Sequence, residues 1–231
     1  MKLFCFTYAG GTALFYDELK ELLIPYGIEI RAIDYAGHGC RRSEKQYGNF
    51  DDLAHDLYKV VINEISGNED YAFMGYSMGT ISAVEVLKLL VKESDCKLPV
   101  HIFLAAHEPT TKKEMLDLDV KLSDENIKKH VMMFGGVPEK LLKNEVFWRT
   151  YLPLYKNDFR LIWNYDFNKL NLKLDIPATI FFSEEDTPID EMHGWNEYFV
   201  NRNEYHRFEG NHFFIKKHCK EMAEVIVKNL K

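Results

Sequence analysis

A chain of 231 residues with 46% apolar side chains, among them 16 Phe and 13 Tyr, has the material for a sizeable buried core and fits one α/β domain. Its 29 basic and 36 acidic residues leave a formal charge of −7, which argues against nucleic-acid binding driven by Lys and Arg on phosphates. Cys5, Cys40, Cys96 and Cys219 lie far apart with neither zinc spacing nor a disulfide framework, no segment approaches the ~20 apolar residues of a membrane span, and the apolar start is too brief for a signal peptide, so a cytoplasmic protein without a metal is expected.

Residues 3–7 read as a buried strand, followed by the Gly10-Gly11 turn and a helical pattern through Phe15, Leu19, Leu22 and Leu23. Residues 28–33 form the next strand. Asn49 or Asp51 can cap a helix carrying Leu53, Ala54, Leu57, Val61 and Ile65, which Gly67 would stop. Strand 71–74, helix 78–91 and strand 100–105 follow. This alternation predicts a mostly parallel central sheet with helices on both faces.

From about residue 110 to 168 no convincing strand occurs. Helical runs at 125–133 and 141–152 are separated by Gly135-Gly136-Val137-Pro138 and closed by Pro153, which predicts a helical lid inserted into a single domain spanning 1–231. Alternation then resumes with strand 178–182, a helix near 192–199, strand 205–208 and a C-terminal helix to about Leu230.

Gly75-Tyr76-Ser77-Met78-Gly79 matches G-x-S-x-G where that pattern has meaning, directly after a strand and opening a helix. A serine held at positive φ needs small residues two positions either side, and the turn aims helix N–H groups at whatever bonds to its oxygen. A hydrolase with this elbow needs an acid and then a histidine later in the chain. His212, in the turn Glu209-Gly210-Asn211-His212 after a late strand, can reach over Ser77. The acid lies among Glu184, Glu185 and Asp186; Asp186 is favoured because Pro188 fixes a turn that presents it from the loop. For the oxyanion, Met78 N–H would act with Ala9 N–H, Tyr8 being the alternative, from the loop after the first strand.

Together these residues resemble the type II thioesterases that accompany nonribosomal peptide and polyketide synthetases. The matching stretches are Phe4-Cys5-Phe6-Thr7-Tyr8-Ala9-Gly10-Gly11, Asp34-Tyr35-Ala36-Gly37-His38-Gly39 with Arg41-Arg42, and Met74 to Gly79 with Glu85. Leu152-Pro153-Leu154, Asp158-Phe159-Arg160, Gly194-Trp195 and Phe208 to Phe214 complete a match that runs nearly end to end. The resemblance implies an α/β-hydrolase fold and hydrolysis of acyl groups from the phosphopantetheine thiol of acyl or peptidyl carrier domains, by a monomer that requires no cofactor. Its triad falls on Ser77, Asp186 and His212. Tyr76 stands where the family commonly has His, Asn211 where Gly usually precedes the histidine, and Thr7 where Pro usually precedes the aromatic. Positions 7 and 76 border the acyl site, and Tyr8 and Tyr76 are expected to contact substrate.

Two rival readings remain at this stage: a carboxylesterase or lipase using the same triad on oxygen esters, and a non-catalytic hydrolase-fold module that docks on a synthetase. An acidic carrier domain meeting a chain of charge −7 would need a local basic or apolar surface, for which Arg41 and Arg42, and Lys112 and Lys113, are the candidates.

Overall fold

The computed structural model describes residues 1–65, 69–93, 96–110, 117–200 and 203–231. Strands β1 (Lys2–Phe6), β2 (Glu29–Ile33), β3 (Tyr71–Tyr76), β4 (His101–Ala105), β5 (Ala178–Phe182) and β6 (Asn203–Arg207) form one sheet in the order β2-β1-β3-β4-β5-β6. Every neighbouring pair is parallel. This is the α/β layering expected from the alternation of short apolar runs with helical periods. The four central strands are buried on both faces, which is why β1, β3, β4 and β5 read as continuous apolar runs rather than alternating ones.

Side-chain alternation divides the core in two. Phe4, Phe6 and Phe73 point to the side covered by α2 (Phe50–Glu64) and α3 (Met78–Glu93), where their rings meet edge to face. Leu3, Cys5, Ala72 and Met74 point to the side covered by α1 (Asp17–Leu23) and α9 (Ile215–Leu230). Helix α2 starts where Asn49 Oδ1 accepts the Asp52 N–H at 2.8 Å. It ends at Glu64, with Ile65 already extended; Gly67, the expected stop, lies outside the described residues.

Between β4 and β5 the chain forms α4 (Leu118–Lys121), α5 (Asp124–Phe134), α6 (Glu139–Leu142) and α7 (Glu145–Asn164). Pro153 does not end a helix there. It sits inside the 20-residue α7, whose start is set by Asn144 Oδ1 accepting from Val146 and Phe147 N–H. The missing N–H of Pro153 costs one ladder bond, and burial of Trp148, Tyr155 and Phe159 along one face and of Leu161 on the other offsets it. Trp148, Tyr155 and Phe159 pack against Ile127 and Val131 of α5 in a separate small core. After β5, the expected helix near 192–199 is instead the short α8 (Ile189–Met192) and a 3₁₀ turn, His193–Glu197. Among the described residues no helix is long and apolar enough to cross a membrane.

His101 makes acid stability a testable property of this sheet. It is buried on β4, with Nε2 2.8 Å from Thr179 Oγ1 and its ring stacked on Phe103. Burial pushes its pKa down to about 4, against a small opposing pull from Glu204. The unfolded chain therefore takes up a proton below pH ~6.5 that the folded chain refuses until about pH 4. Stability is full above that window and is lost as pH falls through it, by on the order of 3 kcal/mol. His101→Gln, which removes the titration, is expected to shrink the drop in melting temperature between pH 7 and pH 4.5; an unchanged drop would contradict this.

Candidate active site

Ser77 follows β3 and immediately precedes α3, with φ +54°. The turn is held by Ser77 N–H donating to Ala105 O at 2.8 Å and by Thr80 N–H and Oγ1–H donating to Ser77 O. The two motif glycines are required by contact. A Cβ on Gly79 would lie 2.0 Å from Phe6 O, and one on Gly75 would lie 2.3 Å from Gly79 O, both backbone atoms that cannot move aside. Tight packing of α3 against β1 and β3 thus forces Ser77 into its strained conformation and leaves its hydroxyl at the C-terminal edge of the sheet.

His212 reaches this hydroxyl from the loop between β6 and α9, with Nε2 2.9 Å from Ser77 Oγ. On its other side, Nδ1 lies 3.0 and 2.9 Å from Asp186 Oδ1 and Oδ2. Ser77 and His212 are each 8% exposed. A carboxylate can only accept from Nδ1–H, so the neutral imidazole presents an unprotonated Nε2 to the serine, as a general base must. Asp186 is carried on a turn closed by its own N–H and that of Thr187 on Ser183 O. Glu184 and Glu185 are exposed. Glu185 Oε1 instead accepts Gly210 N–H at 3.0 Å, and Ser183 Oγ–H donates to Gly210 O, so two contacts tie the acid loop to the histidine loop.

Neither Ala9 N–H nor Met78 N–H donates to a protein group among the described residues. Both Ala9 and Ser77 line a small apolar chamber of about 30 Å³ that Phe134, Tyr155 and Phe213 also wall, and Tyr8 lies on it. A larger cleft of about 680 Å³ opens on the other side of Ser77 and His212, bordered by His107, Lys121 and Asp186. Phe134 borders both spaces and covers the His212 ring at 4.5 Å between centroids.

Tyr76 is placed differently from expectation. Its side chain is fully buried, lines neither space, and donates its hydroxyl to His212 O at 2.7 Å. Burial pushes its phenol pKa well up, so it stays a donor. Asn211 braces the same turn by accepting Phe213 N–H at 3.1 Å. Arg41 is not a free surface charge either: its guanidinium is held by Asp56 at 2.7 Å and by Glu44 at 2.5 Å. Arg42 is exposed, and Lys112 and Lys113 lie outside the described residues. Among the described residues no three His, Cys, Asp or Glu side chains converge as a metal site would need. His38 and Asp158 went unassigned by motif reasoning, yet both are buried beside the Ala9 loop; only the end-to-end resemblance drew attention to them.

The Thioesterase domain profile matches residues 1–230. The chain belongs to the thioesterase family. This thioesterase is 30% identical over 222 residues to the medium-chain S-acyl fatty acid synthase thioesterase of Rattus norvegicus, covering 94% of this chain and 82% of the relative. It is 27% identical to the gramicidin S biosynthesis protein GrsT of Aneurinibacillus migulanus, covering 100% of this chain and 89% of that protein. Among solved structures, ClbQ from the colibactin NRPS/PKS pathway superposes with a TM-score of 0.89 at 24% identity, covering 99% of this chain and 96% of that one. BorB, the type II thioesterase from the borrelidin biosynthetic cluster, gives a TM-score of 0.85 at 25% identity, covering 100% and 92%. The thioesterase has the α/β-hydrolase fold, and it is an enzyme that hydrolyses thioesters.

Proposed function

We propose that this thioesterase is a monomeric cytoplasmic enzyme that uses Ser77, His212 and Asp186 to strip acyl groups from the phosphopantetheine thiol of acyl or peptidyl carrier domains, clearing misprimed or stalled peptide or polyketide synthetase modules. The observation that carries this reading is the unbroken chain of hydrogen bonds from Ser77 Oγ through His212 to Asp186 beside two uncommitted backbone N–H groups. GrsT from gramicidin S biosynthesis and BorB from the borrelidin cluster, both similar along nearly their whole length, support the synthetase context.

Ser77 Oγ attacks the thioester carbonyl carbon while its proton passes to His212 Nε2. Asp186 stabilises the resulting imidazolium, and Ala9 and Met78 N–H hold the oxyanion. Collapse of the tetrahedral adduct breaks the C–S bond, and His212 returns the proton to the departing thiol, whose pKa of ~8.5 makes it a better leaving group than an amine. Water then gives a proton to His212 as its oxygen attacks the acyl-serine carbonyl; the C–Oγ bond breaks, His212 Nε2 passes the proton to Ser77 Oγ, and the carboxylic acid leaves. Helices α4 to α7 act as the lid: Phe134 and Tyr155 wall the small apolar chamber beside Ser77, and the wider cleft of about 680 Å³ has the room for an acyl-pantetheine arm.

Turnover of one acyl group on a carrier protein, on free pantetheine and on an aryl alcohol tests this. The expected kcat/KM on the carrier exceeds that on the aryl ester by roughly tenfold or more, a difference of about 1.4 kcal/mol in activation free energy. Preference for the aryl ester would favour a carboxylesterase instead.

A further inference from the structure

We propose that Asp158 is a positioning residue for the oxyanion-binding loop: from lid helix α7 its carboxylate holds Gly10 N–H, and the buried His38 holds the carboxylate. The proposal rests on the reading of Ser77 as nucleophile and of Ala9 N–H as an oxyanion donor.

Asp158 is 2% exposed, and a single oxygen, Oδ2, accepts Gly10 N–H at 2.7 Å and faces His38 Nε2 at 2.9 Å. His38 is equally buried, and its Nδ1 lies 3.2 Å from Ala36 O. A carbonyl can only accept, and so can an ionised carboxylate, so both ring nitrogens carry hydrogen and His38 is an imidazolium. Burial opposes that charge; the Asp158 charge and hydrogen bond, Ala36 O and Asp34 favour it, and the net shift of the His38 pKa is upward. The pair therefore satisfies a buried carboxylate with a buried cation and leaves its oxygen aimed at one backbone N–H.

That N–H belongs to the loop that matters for chemistry. Tyr8 to Gly11 form a turn closed by Gly11 N–H donating to Tyr8 O at 2.9 Å, with Gly10 at φ +75°. Holding the central peptide of this turn from outside fixes the direction in which the preceding Ala9 N–H points. The same face of α7 also buttresses the turn sterically: a Cβ on Gly10 would lie 2.2 Å from Tyr155 Cε1, one helical turn before Asp158. The lid helix thus reaches the oxyanion loop through one packed ring and one charge-assisted hydrogen bond. Oxyanion donors work only when aimed at the developing charge, so an unanchored loop should lose transition-state stabilisation while ground-state binding survives.

The test compares Asp158→Ala and Asp158→Asn with the wild type and Ser77→Ala, on a small acyl-pantetheine thioester and with an acyl trifluoromethyl ketone, whose adduct with serine needs the oxyanion hole. Asp158→Ala is expected to lower kcat roughly 10- to 100-fold, change KM less than about threefold, and weaken the ketone by the same factor as kcat. Asp158→Asn keeps an oxygen facing Gly10 N–H and should stay within about fivefold of wild type. If circular dichroism shows that the alanine variant does not fold, Asp158→Ser, too short to reach Gly10, takes its place with the same expectations. A folded Ala or Ser variant with wild-type kcat and ketone affinity, or a loss confined to KM, overturns the proposal. Such a result beside an inactive Ser77→Ala removes the positioning role alone, whereas an active Ser77→Ala removes the nucleophile assignment on which it rests.

Discussion

Replacing Ser77 with alanine is expected to lower thioester hydrolysis by at least ~10³-fold without disturbing the fold. The side chain supplies the atom that forms the covalent intermediate, and no neighbouring hydroxyl replaces it: Thr80 Oγ1 is committed to Ser77 O. Only the oxygen is removed from a position whose backbone is already held by Ala105 O and Thr80 N–H, so the melting temperature should stay within a few degrees of wild type. Steady-state turnover of an acyl-pantetheine thioester by the purified variant checks this. Near-wild-type turnover would remove Ser77 from the mechanism.

The second large effect is expected at Asp186. Asp186→Asn keeps the size of the side chain but presents an amide to His212 Nδ1, which favours the wrong imidazole tautomer and gives no charge to balance the imidazolium. A loss of roughly 10³- to 10⁴-fold in kcat should follow. Glu185→Gln, one residue away, retains an acceptor oxygen for Gly210 N–H and is expected to cost less than about fivefold. Glu184, exposed beside it, should be close to silent when changed to Gln. Parallel kcat measurements on the three variants decide the matter, and damage centred on Glu185 would move the acid by one residue.

Much of the architecture was legible because parallel strands buried on both faces leave an unmistakable trace of short apolar runs. Ala178 to Phe182 is such a run and forms β5 with those bounds. Reading failed where long-range packing outweighed a local signal. Pro153 looks like a stop, yet α7 continues because four turns of aromatic and aliphatic side chains are buried against α5 and the sheet. β3 runs two residues past the expected Met74 because Gly75 and Tyr76 still pair with Leu104 and Ala105. At the site, the elbow and the late histidine announce themselves through spacing and turn chemistry. The choice of Asp186 over Glu184 and Glu185 rests on a proline-bounded turn and on the family resemblance, because three adjacent carboxylates are not separated by their chemistry alone. The family resemblance sets position 76 at the border of the acyl site and so implies that Tyr76 touches substrate, but successive residues of a strand point to opposite sides, and its side chain turns under the His212 loop. His38 and Asp158 carry no local signature at all, since their meaning arises from a contact across 120 residues.

The central claim, that this thioesterase works through an acyl-enzyme on Ser77, is tested most directly by intact-mass and peptide-mapping analysis after treatment with a fluorophosphonate. The account predicts a single adduct per chain, mapped to Ser77, with thioester hydrolysis lost in proportion to labelling and no adduct on Ser77→Ala. An adduct at another residue, or full hydrolysis by chains quantitatively labelled at Ser77, would contradict it.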